Sequence, residues 1–237
     1  MSKKTKIKVG DIYSVNDGNI EVLMVERWDK ITIRFLDTQY VRLTTSSEIN
    51  RGEVKDRMKP SVYGIGYLGD TKTKVDGKHA IEYLTWQKML GRCYSTKKSV
   101  NKPSYAGCTV SDNFKYLAYF QKWCQSQVGF NTDGFELDKD LLIKGNKVYS
   151  ENTCVFLPSE INKALTKSDK TRGSCVIGAS KVGDKFSSRI GNKYLGLFKT
   201  EIEAFNAYKI AKESYLKELA EKWKGKIDDR AYEALMN

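Results

Sequence analysis

The sequence predicts an α+β multidomain protein built from three small modules. Two observations support this prediction: the hydrophobic periodicity changes twice along the 237 residues, and clusters of turn-forming residues separate the periodic stretches. Alternating runs at the N-terminus predict a small β-barrel over 1–58, followed by a linker over 59–78. A strand–loop–strand–helix module with preceding helices is predicted over 79–168, and three strands with one helix over 172–225.

The composition is that of a globular protein with a polyanionic partner. Hydrophobic residues make up 40% and charged residues 30%, which excludes bulk disorder. No apolar run reaches the roughly 18 residues of a membrane span, and the first residues lack a secretion signal, so we expect a cytoplasmic protein without membrane contact. Lys and Arg total 41 against 29 acidic residues, a net charge of +12. This excess favours nucleic acid, although a lysine-rich surface that only maintains solubility is an alternative.

The five cysteines form an odd set without a CxxC pair. We therefore expect reduced thiols that behave as small buried hydrophobes. A structural zinc is not expected, because zinc ligands usually come in close pairs on tight turns.

The N-terminal module is predicted from short strand-like runs separated by turns such as Asn16-Asp17-Gly18-Asn19. The stretch VGDIYSVNDGNIEVLMVERWDKITIRFLDT resembles the small Tudor-like barrels at the front of many phage-encoded proteins. Such barrels bind peptides, nucleic acid or nothing, so the partner of this module is left open. Pro60 with Gly64, Gly66 and Gly69 then predicts a loose linker, or alternatively a glycine-and-tyrosine strip that follows a DNA groove.

Two amphipathic helices are predicted next. Apolar residues recur at helical spacing in IEYLTWQKMLGRCY, from Ile81, and in FKYLAYFQKWC, from Phe114. We assign both stripes to the core.

The central module is predicted from LDKDLLIKGNKVYSENTCVFLPSEINKALT, which begins at Leu137. It contains a strand over 137–143, a second over 153–157 and a helix from Ser159. With W-x-x-M-x-x-R-C from Trp86 and Y-x-G-C-x-V from Tyr105, this text resembles the HNH nuclease family, in particular the branch of phage homing endonucleases.

The resemblance implies a divalent-metal site. By position, Asp138 matches the metal-binding acid, Asn162 the second metal ligand, and Asn152 the asparagine that fixes the loop. Oxygen donors of this kind suit Mg²⁺.

One position departs from the family pattern. Lys139 stands where the family has the histidine that takes a proton from the attacking water, and an ammonium group beside two acids is a poor base. Lys139 would instead steady the scissile phosphate. Three interpretations stay open: Asp140 or a metal-bound hydroxide replaces the base, His79 approaches from the first helix, or the site is inactive and the module only binds DNA.

The C-terminal module is predicted to have strands over 175–180, 186–190 and 194–198. A capping box at Thr200 and Glu203 starts a helix whose predicted core stripe is Ile202, Phe205, Tyr208, Ala211, Tyr215 and Leu219. The string YLGLFKTEIEAFNAYKIA resembles ethylene-response-factor-type DNA-binding domains, in which the sheet lies in the major groove. The resemblance implies DNA contacts from residues facing away from the helix, for which we assign Lys181, Lys185, Ser187, Arg189 and Lys193.

We therefore expect a phage-type, metal-dependent DNA endonuclease of the homing or nicking class that acts on double-stranded DNA in the host cytoplasm. One site of this kind cuts one strand, and a homodimer is an open alternative that would cut both. The main alternative function is a catalytically inactive DNA-binding regulator derived from such a nuclease. An RNA-binding module rests on charge alone.

Overall fold

The computed structural model of the protein describes residues 6–96, 103–166 and 175–237. Within these ranges the chain is a mixed α/β protein with six α-helices and several small sheets, which agrees with the predicted class at this level. Its contacts divide it into two compact units, Met1–Lys122 and Trp123–Asn237. None of the helices in the described ranges combines the length and the apolar character that crossing a membrane requires.

The first unit begins with an antiparallel meander of four strands followed by a short helix. The elements are β1 (Ile12–Val15), β2 (Gly18–Arg27), β3 (Lys30–Phe35), β4 (Val41–Thr44) and α1 (Ser46–Arg51). Alternation along β3 buries Ile31, Ile33 and Phe35 against Ile20 and Val22 of β2. Because side chains alternate between faces with period two, these residues form the core on one face of the sheet.

The predicted barrel is an open sheet in the described residues. The strand order is β1-β2-β3-β4, so β1 and β4 are edges and not neighbours. Ile49 of α1 and Val54 fill the core from one side, and the amide of Asn16 donates to the carbonyl of Gly52 at 2.8 Å. The chain after β4 therefore covers this core in place of a closing strand pair.

The rest of the first unit contains the hairpin strands β5 (Lys74–Val75) and β6 (Lys78–His79), helix α2 (Ile81–Tyr94) and strand β7 (Thr109–Val110). Helix α3 follows at Leu117–Gln125. Trp86, Met89 and Leu90 of α2 are buried as predicted, whereas Ile81 is 43% exposed. The Trp86 indole donates to the carbonyl of Phe114 at 2.7 Å, and a Cβ on Gly66 would lie 2.5 Å from the same indole. Gly66 is therefore required by close packing, not by flexibility.

The second unit contains two sheet-and-helix arrangements. The first has β8 (Phe135–Asp138), β9 (Val148–Tyr149), β10 (Val155–Pro158) and α4 (Ser159–Leu165), and the second has β11 (Ala179–Val182), β12 (Lys185–Ile190), β13 (Lys193–Phe198) and α5 (Glu201–Trp223). Strands β8 and β10 pair antiparallel with Asp138 opposite Val155, and β11-β12-β13 form one antiparallel sheet. The predicted strand–loop–strand–helix order is present.

A last helix, α6 (Asp229–Met236), completes a shared core, where the sequence suggested only a polar link and a final helical turn after Trp223. This core joins β10, α4, the end of α5 and α6. Its buried members are Val155, Leu157, Ile161, Ala164, Leu219, Ala220, Ile227, Ala231 and Leu235. The predicted central and C-terminal modules therefore pack on each other within the second unit.

The predicted core stripe of α5 is wrong at two positions. Ile202 is 70% exposed and Tyr215 is 38% exposed, whereas Ala204, Leu219 and Ala220 are buried. The helix has 23 residues, so it extends beyond the six-residue strands it packs on, and its last turns contact α4 and α6 instead. The predicted capping box at Thr200 and Glu203 is present.

Candidate functional site

One face of β8 carries the acidic residues of the candidate metal site, with Glu136 exposed and Asp138 partly buried. Alternation along the strand buries Leu137 on one face and leaves Glu136 and Asp138 on the other. Because α4 starts directly after β10, its first turns lie beside β8. The Ser159 hydroxyl donates to the carbonyl of Gly134 at 2.9 Å and to the Glu136 carboxylate at 3.3 Å.

Asn162 of α4 approaches Glu136, which the sequence reasoning did not select. The amide nitrogen Nδ2 of Asn162 lies 3.5 Å from the Glu136 carboxylate, at the limit of a hydrogen bond in which Asn162 donates. Asp138 lies two residues farther along the same strand face, about 7 Å from Glu136 along the strand. The period-two alternation of Phe-Glu-Leu-Asp was the signal that could have identified Glu136.

Asp138 ends β8 and caps the following turn. Its Oδ2 accepts hydrogen bonds from the backbone amides of Asp140 at 2.7 Å and Leu141 at 2.8 Å. Burial raises the pKa of the Asp138 carboxyl above its usual value, while the two amide donors oppose that rise. The carboxylate is therefore oriented by the loop.

Lys139 is a buried residue of the loop after β8. Its side chain is 4% exposed, and its ammonium donates to the Asp140 carboxylate and, at 2.9 Å, to the carbonyl of Asn146. The ammonium also lies 5.6 Å from the centre of the Tyr149 ring. Lys139 and Asp140 therefore form a structural ion pair. Because each group is engaged by the other, neither is free to accept a proton from an attacking water.

The rest of the loop is held by hydrogen bonds from other side chains. The Asn146 amide donates to the carbonyls of Lys139 at 2.8 Å and Val148 at 2.7 Å, and the Thr153 hydroxyl donates to Val148 at 2.7 Å. Asn152 is exposed on the turn before β10. Burial raises the pKa of the neighbouring Cys154 thiol to about 12, so this thiol is protonated at neutral pH.

The three-stranded sheet presents an exposed face on the side opposite α5. Ala179 and Ser188 are buried towards the helix, and the Ser188 hydroxyl donates to the carbonyl of Gly178 at 3.0 Å. Residues of the other parity form the open face, which we call the open sheet face. Its members are Ser180, Val182, Lys185, Ser187, Arg189, Tyr194 and Leu197.

The strand register divides the five predicted DNA-contacting residues. Lys185, Ser187 and Arg189 lie together on the open sheet face, where the Arg189 guanidinium is 5.4 Å from the centre of the Tyr194 ring. Lys181 pairs with Phe186 and Lys193 pairs with Ile190, and both therefore belong to the face turned towards α5. Irregular pairing between Ser188 and Arg189 changes the alternation that the sequence pattern assumes.

The described ranges contain no group of three or more His, Cys, Asp or Glu side chains that could hold a metal ion. The five cysteines are free thiols. His79 is exposed in the first unit, with Nδ1 at 3.3 Å from the carbonyl of Thr73.

Comparisons with protein-family models, with curated proteins and with solved structures found no match to this chain.

Proposed function

We propose that this protein is a double-stranded DNA endonuclease of the phage HNH type, which holds the duplex with its open sheet face and cleaves one strand at the β8–α4 corner. The observation that supports this best is the strand–loop–strand–helix arrangement in which Glu136 and Asp138 share one strand face and Asn162 of the helix approaches Glu136. The net charge of +12 is consistent with a polyanionic substrate.

The donor set at this corner fits a hard divalent cation. Glu136 and Asp138 offer carboxylate oxygens. Asn162 would offer its amide oxygen once the side-chain amide, whose nitrogen faces Glu136, is turned over, so no nitrogen or sulfur donor is needed. These three residues would hold Mg²⁺, with water and phosphate completing its coordination. When bound, the cation would stabilise negative charge on the scissile phosphate.

The residues around the corner position these donors. The amides of Asp140 and Leu141 hold Oδ2 of Asp138, and Ser159 holds Glu136. The ion pair of Lys139 with Asp140 and the hydrogen bond from Lys139 to the carbonyl of Asn146 hold the loop after β8 in place.

The open sheet face would provide binding. Lys185 and Arg189 offer positive charge to phosphates, and Arg189 can also bond guanine edges in the major groove. Ser187 and the exposed Tyr194 add polar and apolar contact between them. This face would set the register of the duplex.

The second candidate is a DNA-binding regulator without cleavage activity. The observation that favours it is the burial of Lys139 at the position where the family has its catalytic base. In that case the corner would serve only to pack the module against α5 and α6.

Cleavage is tested with supercoiled plasmid and Mg²⁺, comparing the unaltered protein with Asp138→Asn, Glu136→Gln and Asn162→Ala. We expect nicked circles from the unaltered protein and a loss of at least about 100-fold in rate for each variant, as is typical when a transition-state interaction is removed. Lys163→Ala, an exposed change on the same helix, is the matched control and should nick normally. Tight binding without nicking by the unaltered protein would support the regulator.

Binding is tested separately by titrating labelled duplex with Arg189→Ala and Lys193→Ala. Arg189→Ala should weaken binding by about 1–3 kcal/mol if its guanidinium contacts a base. Lys193→Ala removes the same charge from the other face and should have a smaller effect. Equal losses would argue against the open sheet face as the DNA-binding surface.

A further inference from the structure

The segment predicted to be a loose linker contains a basic hairpin. Strands β5 and β6 pair with Lys74 opposite His79 and Val75 opposite Lys78. The turn residues Asp76 and Gly77 both have positive φ, 49° and 76°. Two residues with positive φ form the tight turn that matches the twist of the two strands, so the hairpin is a defined ribbon.

The base of the ribbon is fixed to the first unit. The Arg57 guanidinium donates to the carbonyls of Gly69 and Thr71, and the amide of Ala80 donates to the carbonyl of Thr73 at 3.0 Å. The ring of His79 stacks on Tyr83 of α2, with the ring centres 5.1 Å apart. The chain therefore enters and leaves the hairpin at held positions, while its tip is exposed to solvent.

The lysines of the ribbon form no ion pair with the described part of the chain. Its exposed lysines are Lys72, Lys74 and Lys78. None of them lies within 4 Å of a described carboxylate, unlike Lys30, Lys55 and Lys59 of the same unit, which pair with acids at 2.6, 3.6 and 3.6 Å. Val75 is 59% exposed, so the ribbon does not contribute to a core either. Asp76 at the turn offsets part of the charge of the three lysines, but neither packing nor an ion pair accounts for their positions.

We propose that this hairpin is a second DNA-contacting element, which enters a groove of the duplex and places Lys72, Lys74 and Lys78 on its phosphates. A two-stranded ribbon fits the major groove of B-form DNA, which is about 12 Å wide. Lysines on long flexible side chains suit phosphate contacts, which provide affinity without reading sequence. The inference rests on the proposed function in one respect, that duplex DNA is the partner, and it adds a separate DNA contact on the first unit.

The test uses the full chain with the three hairpin lysines changed to glutamine, K72Q/K74Q/K78Q. The matched control is K30Q/K55Q/K59Q, which removes the same charge from lysines that pair with acids. Binding to a labelled duplex is measured over a salt series. For three phosphate contacts, the slope of log affinity against log salt should fall by up to about 2.7, and affinity at about 0.1 M salt should fall at least tenfold. The control should change both quantities by clearly less.

The outcomes separate the two proposals. If the unaltered protein binds duplex and the two triple variants show the same slope and affinity, the hairpin proposal is overturned while the proposed function stands. If the unaltered protein binds no duplex at all, both fail. An equal loss for the hairpin variant on double-stranded RNA would overturn the groove assignment, because the A-form major groove is too narrow to admit a ribbon. Unfolding temperatures of the two variants should match, since the changed side chains are outside the core.

Discussion

Replacing Lys139 with methionine removes the ammonium and keeps a side chain of similar length in the buried position. The change deletes two hydrogen bonds, one to the Asp140 carboxylate and one to the carbonyl of Asn146. A hydrogen bond with one charged partner contributes about 1.5–3 kcal/mol, but the bond to Asp140 counts for less because that side chain is 58% exposed. The Asn146 carbonyl loses its partner, so we expect Lys139→Met to lower the free energy of unfolding by about 1–3 kcal/mol.

The assay is urea unfolding followed by tryptophan fluorescence, to which Trp123 and Trp223 of the second unit contribute. With a urea dependence of about 2 kcal/mol/M, the midpoint should fall by about 0.5–1.5 M. Lys144→Met, an exposed change in the same loop, is the control and should leave the midpoint unaltered. The reasoning would be refuted by a Lys139→Met protein that unfolds at the wild-type midpoint. If that protein had also lost nicking activity, the lysine would have a functional role instead.

Two further changes test the packing of the second unit. Leu235→Ala in α6 should lower the free energy of unfolding by about 2–5 kcal/mol, because the leucine is 4% exposed in the shared core. The melting temperature should fall by about 2–4 °C per kcal/mol, whereas the exposed change Glu233→Ala should leave it unaltered. A similar melting temperature for both variants would show that α6 is dispensable. Glu160→Gln tests a pH dependence of stability. The Lys222 ammonium holds the pKa of the Glu160 carboxyl below its usual value of 4.5. The ionised carboxylate therefore stabilises the protein above pH 4.5, and this contribution is lost as the pH falls through the lowered pKa. At neutral pH the variant should be less stable than wild type by at most about 1 kcal/mol, because the carboxylate is about a third exposed. In acid the two proteins should be equally stable. A stability difference that persists at the lowest pH would contradict the stabilising role of the ionised Glu160.

Sequence patterns predicted correctly those elements that depend only on residues close together in the chain. The turns at Asn16–Asn19 and the capping box at Thr200 and Glu203 depend on residues within four positions of each other, and both are present. The same holds for the buried faces of α2 and β3, because helical and strand periods arise from the backbone itself. The order of strands and helix around Asp138 was predictable for this reason.

The sites depended on contacts between distant parts of the chain, and there the sequence was insufficient. The parity that excludes Lys181 and Lys193 from the open sheet face is set by pairing with the neighbouring strand and by an irregular position at Ser188. The approach of Asn162 to Glu136 joins residues 26 positions apart. Such contacts follow from which surfaces pack together, and a single-chain pattern does not specify this.

The sequence by itself determined the mixed α/β class, the order of the elements around Asp138 and the basic character of the molecule, since these follow from side-chain period, turn chemistry and charge. Only the tertiary structure decided that the N-terminal sheet is open, that Lys139 is buried in an ion pair, and that α6 closes a core shared by two predicted modules. Burial is a property of packed surfaces, and a lysine or a terminal helix acquires its role only when the rest of the chain has folded against it.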